Sequence, residues 1–240
     1  MSRAVILAGG LGTRLRPYTT VLPKPLMPVG DRPILDIVVR QLARAGFDRI
    51  TIATGYLGEL IEAFFGDGSR HDIPIDYFRE DEPLGTVGAL SLIDGLEHDF
   101  LVMNGDILTD MDYSALLEGH REGGQAATIA AHRRDVQVSL GVMRFGQNAD
   151  TTLVTDYVEK PILSYVVSMG VYCFSPRVRE HIPTGQRLDF PDLILRLIAS
   201  GETVRAWPSE DHWLDIGRPD DYEQAQDQFN QLRDRFLPDA

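Results

Sequence analysis

Short apolar runs rich in β-branched residues recur from Ala4 to Met103, each followed by a segment of different periodicity, and they restrict the chain to few folds. Ala4 to Leu7, Ile50 to Thr54, Ile75 to Phe78 and Phe100 to Met103 have the length and composition of short buried strands. Between them, Ile34, Ile37, Val38, Leu42 and Ala45 repeat at helical spacing, with Pro33 placed for the first turn and Gly46 for the stop. Leu57 to Phe65 and Gly85 to Leu96 predict two further helices, the second weakened by Gly88. Strands that alternate with helices in this way predict a parallel, doubly wound sheet.

After a predicted helix over Tyr113 to Gly123 the pattern changes. Ala126 to Ala131, Leu140 to Phe145, Leu153 to Val158 and Val166 to Phe174 follow with turn residues between them and no room for crossover helices. That spacing predicts an antiparallel extension of the sheet. A helix over Asp192 to Ser200, a strand over Val204 to Trp207 and a last amphipathic helix over Asp220 to Phe236 complete the pattern. The expectation is a single α/β domain over residues 1–240, with a mixed, mostly parallel sheet flanked by helices and halves meeting near residue 125.

Composition narrows the partners. A formal net charge of -13 disfavours a broad nucleic-acid footprint, so the cations must act locally. No apolar run is long enough for a bilayer, which takes about 20 residues, and Ser2-Arg3-Ala4-Val5 opens as a strand rather than a signal peptide. One cysteine, Cys173, forms no internal disulfide; it sits in an apolar run as an inert buried thiol, and the cytoplasm is the expected compartment. Self-association is left open.

The stretch LAGGLGTRLRPYTTVLPKPLMPV, Leu7 to Val29, follows the first predicted strand. A glycine turn there faces the carboxyl end of the sheet, where open α/β folds bind ligands. Gly9, Gly10 and Gly12 let several N–H groups converge on an anion, and Arg14, Arg16 and Lys24 add cations that prolines hold in place. Neither familiar phosphate motif fits: Leu15 stands where a dinucleotide fingerprint needs its third glycine, and no Gly-Lys-Ser/Thr is present. A nest followed by Arg and Lys suits a triphosphate whose leaving end is pyrophosphate.

The ordered combination GGxGTRLRPxTxxxPKPLxPV resembles the signature of the sugar-1-phosphate nucleotidylyltransferases, with every fixed position filled. The resemblance extends over essentially the whole chain. Because Ala240 follows the last predicted helix closely, it is to the mannose- or heptose-1-phosphate guanylyltransferase-like members without a C-terminal β-helix domain. It implies a Rossmann-like nucleotidyltransferase fold, a nucleotide-binding first half and a sugar-phosphate-binding second half. It further implies that Leu7, Gly9, Gly10, Gly12 and Thr13 contact the nucleotide, and that Arg14 and Lys24 act catalytically on its phosphates.

Asp106, in Met103-Asn104-Gly105-Asp106, should lie at a strand's carboxyl end beside the nest; alone, such an Asp is more often a turn residue. Asp215, in Trp213-Leu214-Asp215-Ile216-Gly217, is a second acid in an apolar stretch. The resemblance implies that the two coordinate Mg²⁺, whereas Glu210, Asp211 and His212 are expected in solvent. Glu80 to Thr86 resembles the family's base-reading segment: Gly85 would admit the base and Glu80 would read its edge, with Asp81 solvated. A carboxylate only accepts hydrogen bonds, and guanine presents adjacent N1–H and N2–H donors, which favours GTP over UTP or dTTP. Tyr157-Val158-Glu159-Lys160-Pro161 matches the family's [FY]VEKP segment, implying that Lys160 and Glu159 hold the sugar 1-phosphate with Gly141 and Ser168 nearby. Val167-Ser168-Met169-Gly170 departs from the Asn-Ala-Gly of several relatives, so the sugar stays open. The expected reaction joins an NTP to a sugar 1-phosphate, giving an NDP-sugar and pyrophosphate. A silent nucleotide-sugar sensor and a nicotinamide oxidoreductase are the alternatives, disfavoured by the intact ligand set and the missing third glycine.

Overall fold

The computed structural model describes residues 2–146 and 152–237. In chain order it contains β1 (Arg3–Ala8), the short strands β2 (Pro28–Val29) and β3 (Arg32–Pro33), α1 (Ile34–Arg44), β4 (Arg49–Thr54), α2 (Gly58–Phe65), β5 (Ile75–Arg79), β6 (Phe100–Asn104), β7 (Ile107–Thr109) and α3 (Tyr113–Gly123). There follow β8 (Ala127–Gln137), β9 (Val142–Phe145), β10 (Val154–Val158), β11 (Ile162–Phe174), α4 (Phe190–Ala199), β12 (Val204–Ser209), β13 (Trp213–Asp215) and α5 (Pro219–Phe236).

Seven strands form one sheet in the order β12-β8-β11-β6-β1-β4-β5. β1 runs parallel to β4 and β6, β4 to β5, and β12 to β8, while β11 is antiparallel to both of its neighbours. The α/β architecture with a mixed, mostly parallel sheet flanked by helices is therefore as the sequence predicts. Ile6, Ile52 and Leu101 pack with Leu35, Val38, Ile61 and Leu116 of the helices on one face. Val5, Val102 and Phe174 pack with Leu90, Leu193 and Leu197 on the other. Burial on both faces is why these strands read as unbroken apolar runs, each fully buried large side chain contributing about 1.5–3 kcal/mol. Cys173 is buried in the first of these layers, and burial raises its thiol far above the ordinary range, as an inert core residue requires.

A third cluster decides where the functional loops sit. Leu15 of the glycine-rich stretch, Met27, Leu108 and Ile216 pack together with Phe229 of α5. Each is a sequence neighbour of a candidate site residue, so one apolar knot draws Arg14, the Lys24 segment, Asp106 and Asp215 to the same end of the sheet.

Two expectations need correction. The segment from Gly85 to Leu96 is not a helix and contains only a 3-10 turn at Gly88–Ser91. Its backbone bonds elsewhere: Leu188 N–H donates to the Leu84 carbonyl at 3.0 Å and Val87 N–H to the Leu188 carbonyl at 3.0 Å. The antiparallel extension holds for β8 and β11, but among the described residues β9 and β10 pair only with each other, outside the main sheet. β8 and β11 pair directly from Ala127 opposite Phe174 to Gln137 opposite Ile162, which leaves the intervening chain no place in the sheet.

Candidate active site

A cleft of about 940 Å³ opens at the carboxyl ends of β1, β4, β5 and β6. All ten residues singled out from the first half for the nucleotide, its phosphates or the metal line it: Leu7, Gly9, Gly10, Gly12, Thr13, Arg14, Lys24, Glu80, Gly85 and Asp106. Open α/β sheets bind ligands outside the carboxyl ends of their strands, where the loops that follow supply backbone N–H groups and side chains.

Gly12 sits at φ +59°, and an added Cβ would lie 2.9 Å from Thr19 Cγ2. Thr19 Oγ1 donates to the Gly12 carbonyl at 2.8 Å, closing the loop on itself. Glycine is thus demanded both by the left-handed backbone and by the close packing under the loop. Arg14 is exposed at the loop's edge, while Lys24 is buried and its ammonium forms an ion pair with the carboxylate of Asp106.

Asp215 does not line the cleft, yet it stands beside Asp106. β13 pairs antiparallel with β7, placing Asp215 opposite Ile107, and Ile216 N–H donates to the Asp106 carbonyl at 3.3 Å. A point one Cβ length from Gly217 lies 3.4 Å from both Arg14 Nη1 and Asp215 Oδ1, so guanidinium and carboxylate flank the same spot. Desolvation raises the Asp215 carboxyl above its ordinary value, Asp106 and Asp221 add to this, and Lys24 and Arg14 oppose it. Two carboxylates that repel each other in this way are a fit donor set for a hard dication. Among the described residues no cluster of three or more His, Cys, Asp or Glu side chains forms. Mg²⁺ needs no more than one or two carboxylates when water and phosphate oxygens complete its octahedron.

Glu80 is half-buried at the end of β5 and accepts a hydrogen bond from Leu84 N–H at 3.2 Å. Burial raises its carboxyl, and the Leu84 N–H opposes that. Gly85 has a reason beyond access for a base: at φ +75°, an added Cβ would lie 2.6 Å from the Leu188 carbonyl oxygen and 2.8 Å from Asp189 Oδ1.

The residues expected to hold the sugar 1-phosphate lie apart from that cleft. Glu159, Lys160 and Ser168 are exposed. Tyr157 donates its hydroxyl to Glu159 Oε2 at 3.2 Å, and a Cβ on Gly141 would lie 3.0 Å from that same oxygen, so Gly141, Tyr157 and Glu159 form one group. Lys160 adopts φ +46°, a left-handed conformation that costs a non-glycine residue on the order of 1 kcal/mol or more. Ser168 donates to the Tyr172 hydroxyl at 2.9 Å and receives Gly170 N–H at 3.2 Å, at the point where the β11 register shifts against β8. Of the residues expected in solvent, Glu210 is exposed, Asp211 receives the Ser209 hydroxyl at 2.6 Å, and His212 N–H is held by Asp110 at 2.8 Å.

Sequence reasoning missed Tyr56, Arg79, Asn104 and Arg187, which also line the cleft; Asp81 is exposed to solvent as expected and lines the cleft as well. Asn104 and Arg79 directly precede the recognised Gly105-Asp106 and Glu80, a signal that could have been used. Arg187 arrives from a distant turn and leaves no local trace.

The nucleotidyl transferase family matches residues 3–231. The chain belongs to that family. It is 35% identical to the UTP--glucose-1-phosphate uridylyltransferase of Synechocystis sp., over 93% of this chain and 62% of the relative. It is 32% identical to the mannose-1-phosphate guanylyltransferase of Mycobacterium tuberculosis, over 91% of this chain and 62% of the relative. The chain thus spans about 62% of the length of these curated relatives. Among solved structures of the same fold, HddC from Yersinia pseudotuberculosis superposes with a TM-score of 0.73 at 28% identity, covering 95% of this chain and 100% of that one. HddC complexed with GMP-PN gives a TM-score of 0.72 at 27% identity, with the same coverage.

Proposed function

We propose that this chain transfers a nucleotidyl group from an NTP, preferably GTP, to a sugar 1-phosphate, forming an NDP-sugar and releasing pyrophosphate. The observation that carries this reading is the convergence of the glycine nest, Arg14, Lys24, Asp106 and Glu80 on one cleft, with Asp215 held beside Asp106 by the β7–β13 pairing. Both curated relatives carry uridylyl- or guanylyltransferase names, which supports the reaction class and leaves the base to this chain's own residues.

A sugar phosphate oxygen attacks the α-phosphorus; the bond from that phosphorus to the bridging oxygen breaks, and pyrophosphate leaves on the opposite side. No protein nucleophile is required, so catalysis is positioning and charge neutralisation. The loop N–H groups receive the phosphates, Lys24 and Arg14 balance the charge that grows on the leaving group, and Lys160 with Glu159 orients the sugar 1-phosphate. Asp106 and Asp215 would hold Mg²⁺, which neutralises phosphate charge when bound. Glu80, partly withdrawn from water, favours a base that offers it two adjacent N–H donors, as guanine does.

The test is pyrophosphate release from GTP, UTP, dTTP, ATP and CTP, each against a panel of sugar 1-phosphates. GTP should give the highest kcat/KM, and Asp106→Ala should abolish release without loss of folded structure by circular dichroism. Unchanged turnover in that variant overturns the site assignment; a preference for UTP or dTTP overturns the base.

A further inference from the structure

Arg187 stands on the nucleotide cleft although its sequence context gives no hint of it. What brings it there is a set of hydrogen bonds between two loops about a hundred residues apart. Leu188 N–H donates to the Leu84 carbonyl and Val87 N–H to the Leu188 carbonyl, both at 3.0 Å. Thr86 N–H donates to Asp189 Oδ1 at 3.0 Å, and Phe190 N–H to Thr86 Oγ1 at 2.7 Å. Gly85 lacks the Cβ that would collide with this seam. Leu84 N–H in turn donates to Glu80 Oε2, so two hydrogen bonds link the Glu80 carboxylate to the residue next to Arg187.

The guanidinium itself is loosely held. It meets Asp189 Oδ2 at 3.7 Å, beyond hydrogen-bond length, and the side chain is 72% exposed. Arg79, another guanidinium lining the cleft, lies on the end of β5 and faces Glu59 at 4.0 Å instead. Arg187 is therefore a cation fixed at its backbone, with donors available, on the loop fastened to the Glu80–Thr86 segment.

We infer that Arg187 is a base-specificity residue that donates to O6 and N7 of guanine while Glu80 accepts from N1–H and N2–H. This rests on the guanylyl reading above. An Arg fork matches the O6/N7 pair, and a carboxylate matches the adjacent donors. Adenine reverses the pattern, turning an amino group toward the guanidinium and a lone pair toward Glu80. Uracil and thymine have no N7 and place a carbonyl on each side of their single N–H. One acid and one base together accept guanine and penalise the others, which neither residue does alone.

The experiment is calorimetric binding of GTP, 7-deaza-GTP and UTP with Mg²⁺ to the wild-type chain and to Arg187→Ala, without sugar 1-phosphate so that no turnover intervenes. Because 7-deaza-GTP lacks only the N7 acceptor, the wild type should bind it about tenfold more weakly than GTP, as loss of a charge-assisted hydrogen bond implies. Arg187→Ala should weaken GTP by at least that factor, bind GTP and 7-deaza-GTP alike, and change UTP affinity less than about twofold. Two outcomes overturn the inference alone: a wild-type GTP/7-deaza-GTP ratio that survives in the variant, or an equal weakening of all three nucleotides, which marks a phosphate contact. A wild type that binds UTP as tightly as GTP overturns the guanylyl reading itself. The exposed side chain makes no core contact, so the variant folds.

Discussion

Lys24 is buried where an unpaired ammonium would be costly, and its partner is a carboxylate expected to serve a metal. The free site therefore holds its own counter-ion: Lys24 screens Asp106 from Asp215 until substrate charge arrives. In the proposed reaction the same ammonium, which lines the cleft, is the cation offered to the departing oxygens. Replacing Lys24 by Met keeps the stem but removes the ammonium paired with Asp106 and leaves Arg14 as the remaining cation beside Asp215. We expect kcat for pyrophosphate release to fall by roughly 10²–10³, the usual loss when one preorganised charge partner of a transition state is removed. Steady-state kinetics of Lys24→Met, with circular dichroism to verify folding, checks this, and turnover within a factor of three of wild type (about 0.7 kcal/mol) contradicts it.

Between elements, α3 and β8 meet through His120, whose side chain is 1% exposed. Its Nδ1 lies 2.8 Å from Thr128 Oγ1, and its Nε2 lies 3.9 Å from Asp99 Oδ1. Burial lowers the imidazole below its ordinary 6.5; Asp99 pulls the other way, and Arg177 and Arg121 add to the lowering. Between the folded and unfolded values the unfolded chain binds more protons, so this contribution is complete above about pH 6.5 and is lost as pH falls toward the folded value. Urea unfolding at about pH 8, 6.5 and 5 should show stability falling over the acid step. His120→Asn, which keeps a partner for Thr128, should flatten that step; an unchanged slope refutes the role. Elements of this kind were legible in the sequence when their periodicity was local: β1, β4, β6 and α3 begin and end within about two residues of expectation. The segment from Gly85 to Leu96 was illegible because its first N–H groups, of Thr86 and Val87, go to Asp189 and Leu188 and the rest close short turns, and β9 and β10 because alternation cannot tell a sheet strand from a separate ribbon. The cleft residues that lie inside the glycine-rich, Glu80–Thr86 and Gly105-Asp106 segments were legible as motifs, whereas Tyr56, Arg79 and Asn104 fell outside what was read and Arg187 depends on a contact that no local pattern encodes.

Across the whole molecule, the proposed metal pair joins the two halves of the chain, Asp106 coming from the loop after β6 and Asp215 from the end of β13. The knot of Leu15, Leu108, Ile216 and Phe229 holds that junction together from beneath. A ligand that binds both carboxylates through a metal therefore adds a tie between halves that already meet through β11 in the sheet, the β7–β13 pair, the Leu84–Leu188 seam and this knot. Ligand that binds only the folded chain at about 100 times its Kd stabilises by about 2.7 kcal/mol, equivalent to roughly 5–10 °C in Tm for a domain of this size. Thermal unfolding with GTP should thus show a shift of that order with Mg²⁺ present, and less than about half of it when EDTA replaces the metal. Asp106→Asn should show the smaller shift under both conditions, because one of its two carboxylate anchors is gone. A full shift in EDTA, or a full Mg²⁺-dependent shift in Asp106→Asn, would mean that nucleotide binds without a metal bridge at these aspartates, and that the halves are joined by their protein contacts alone.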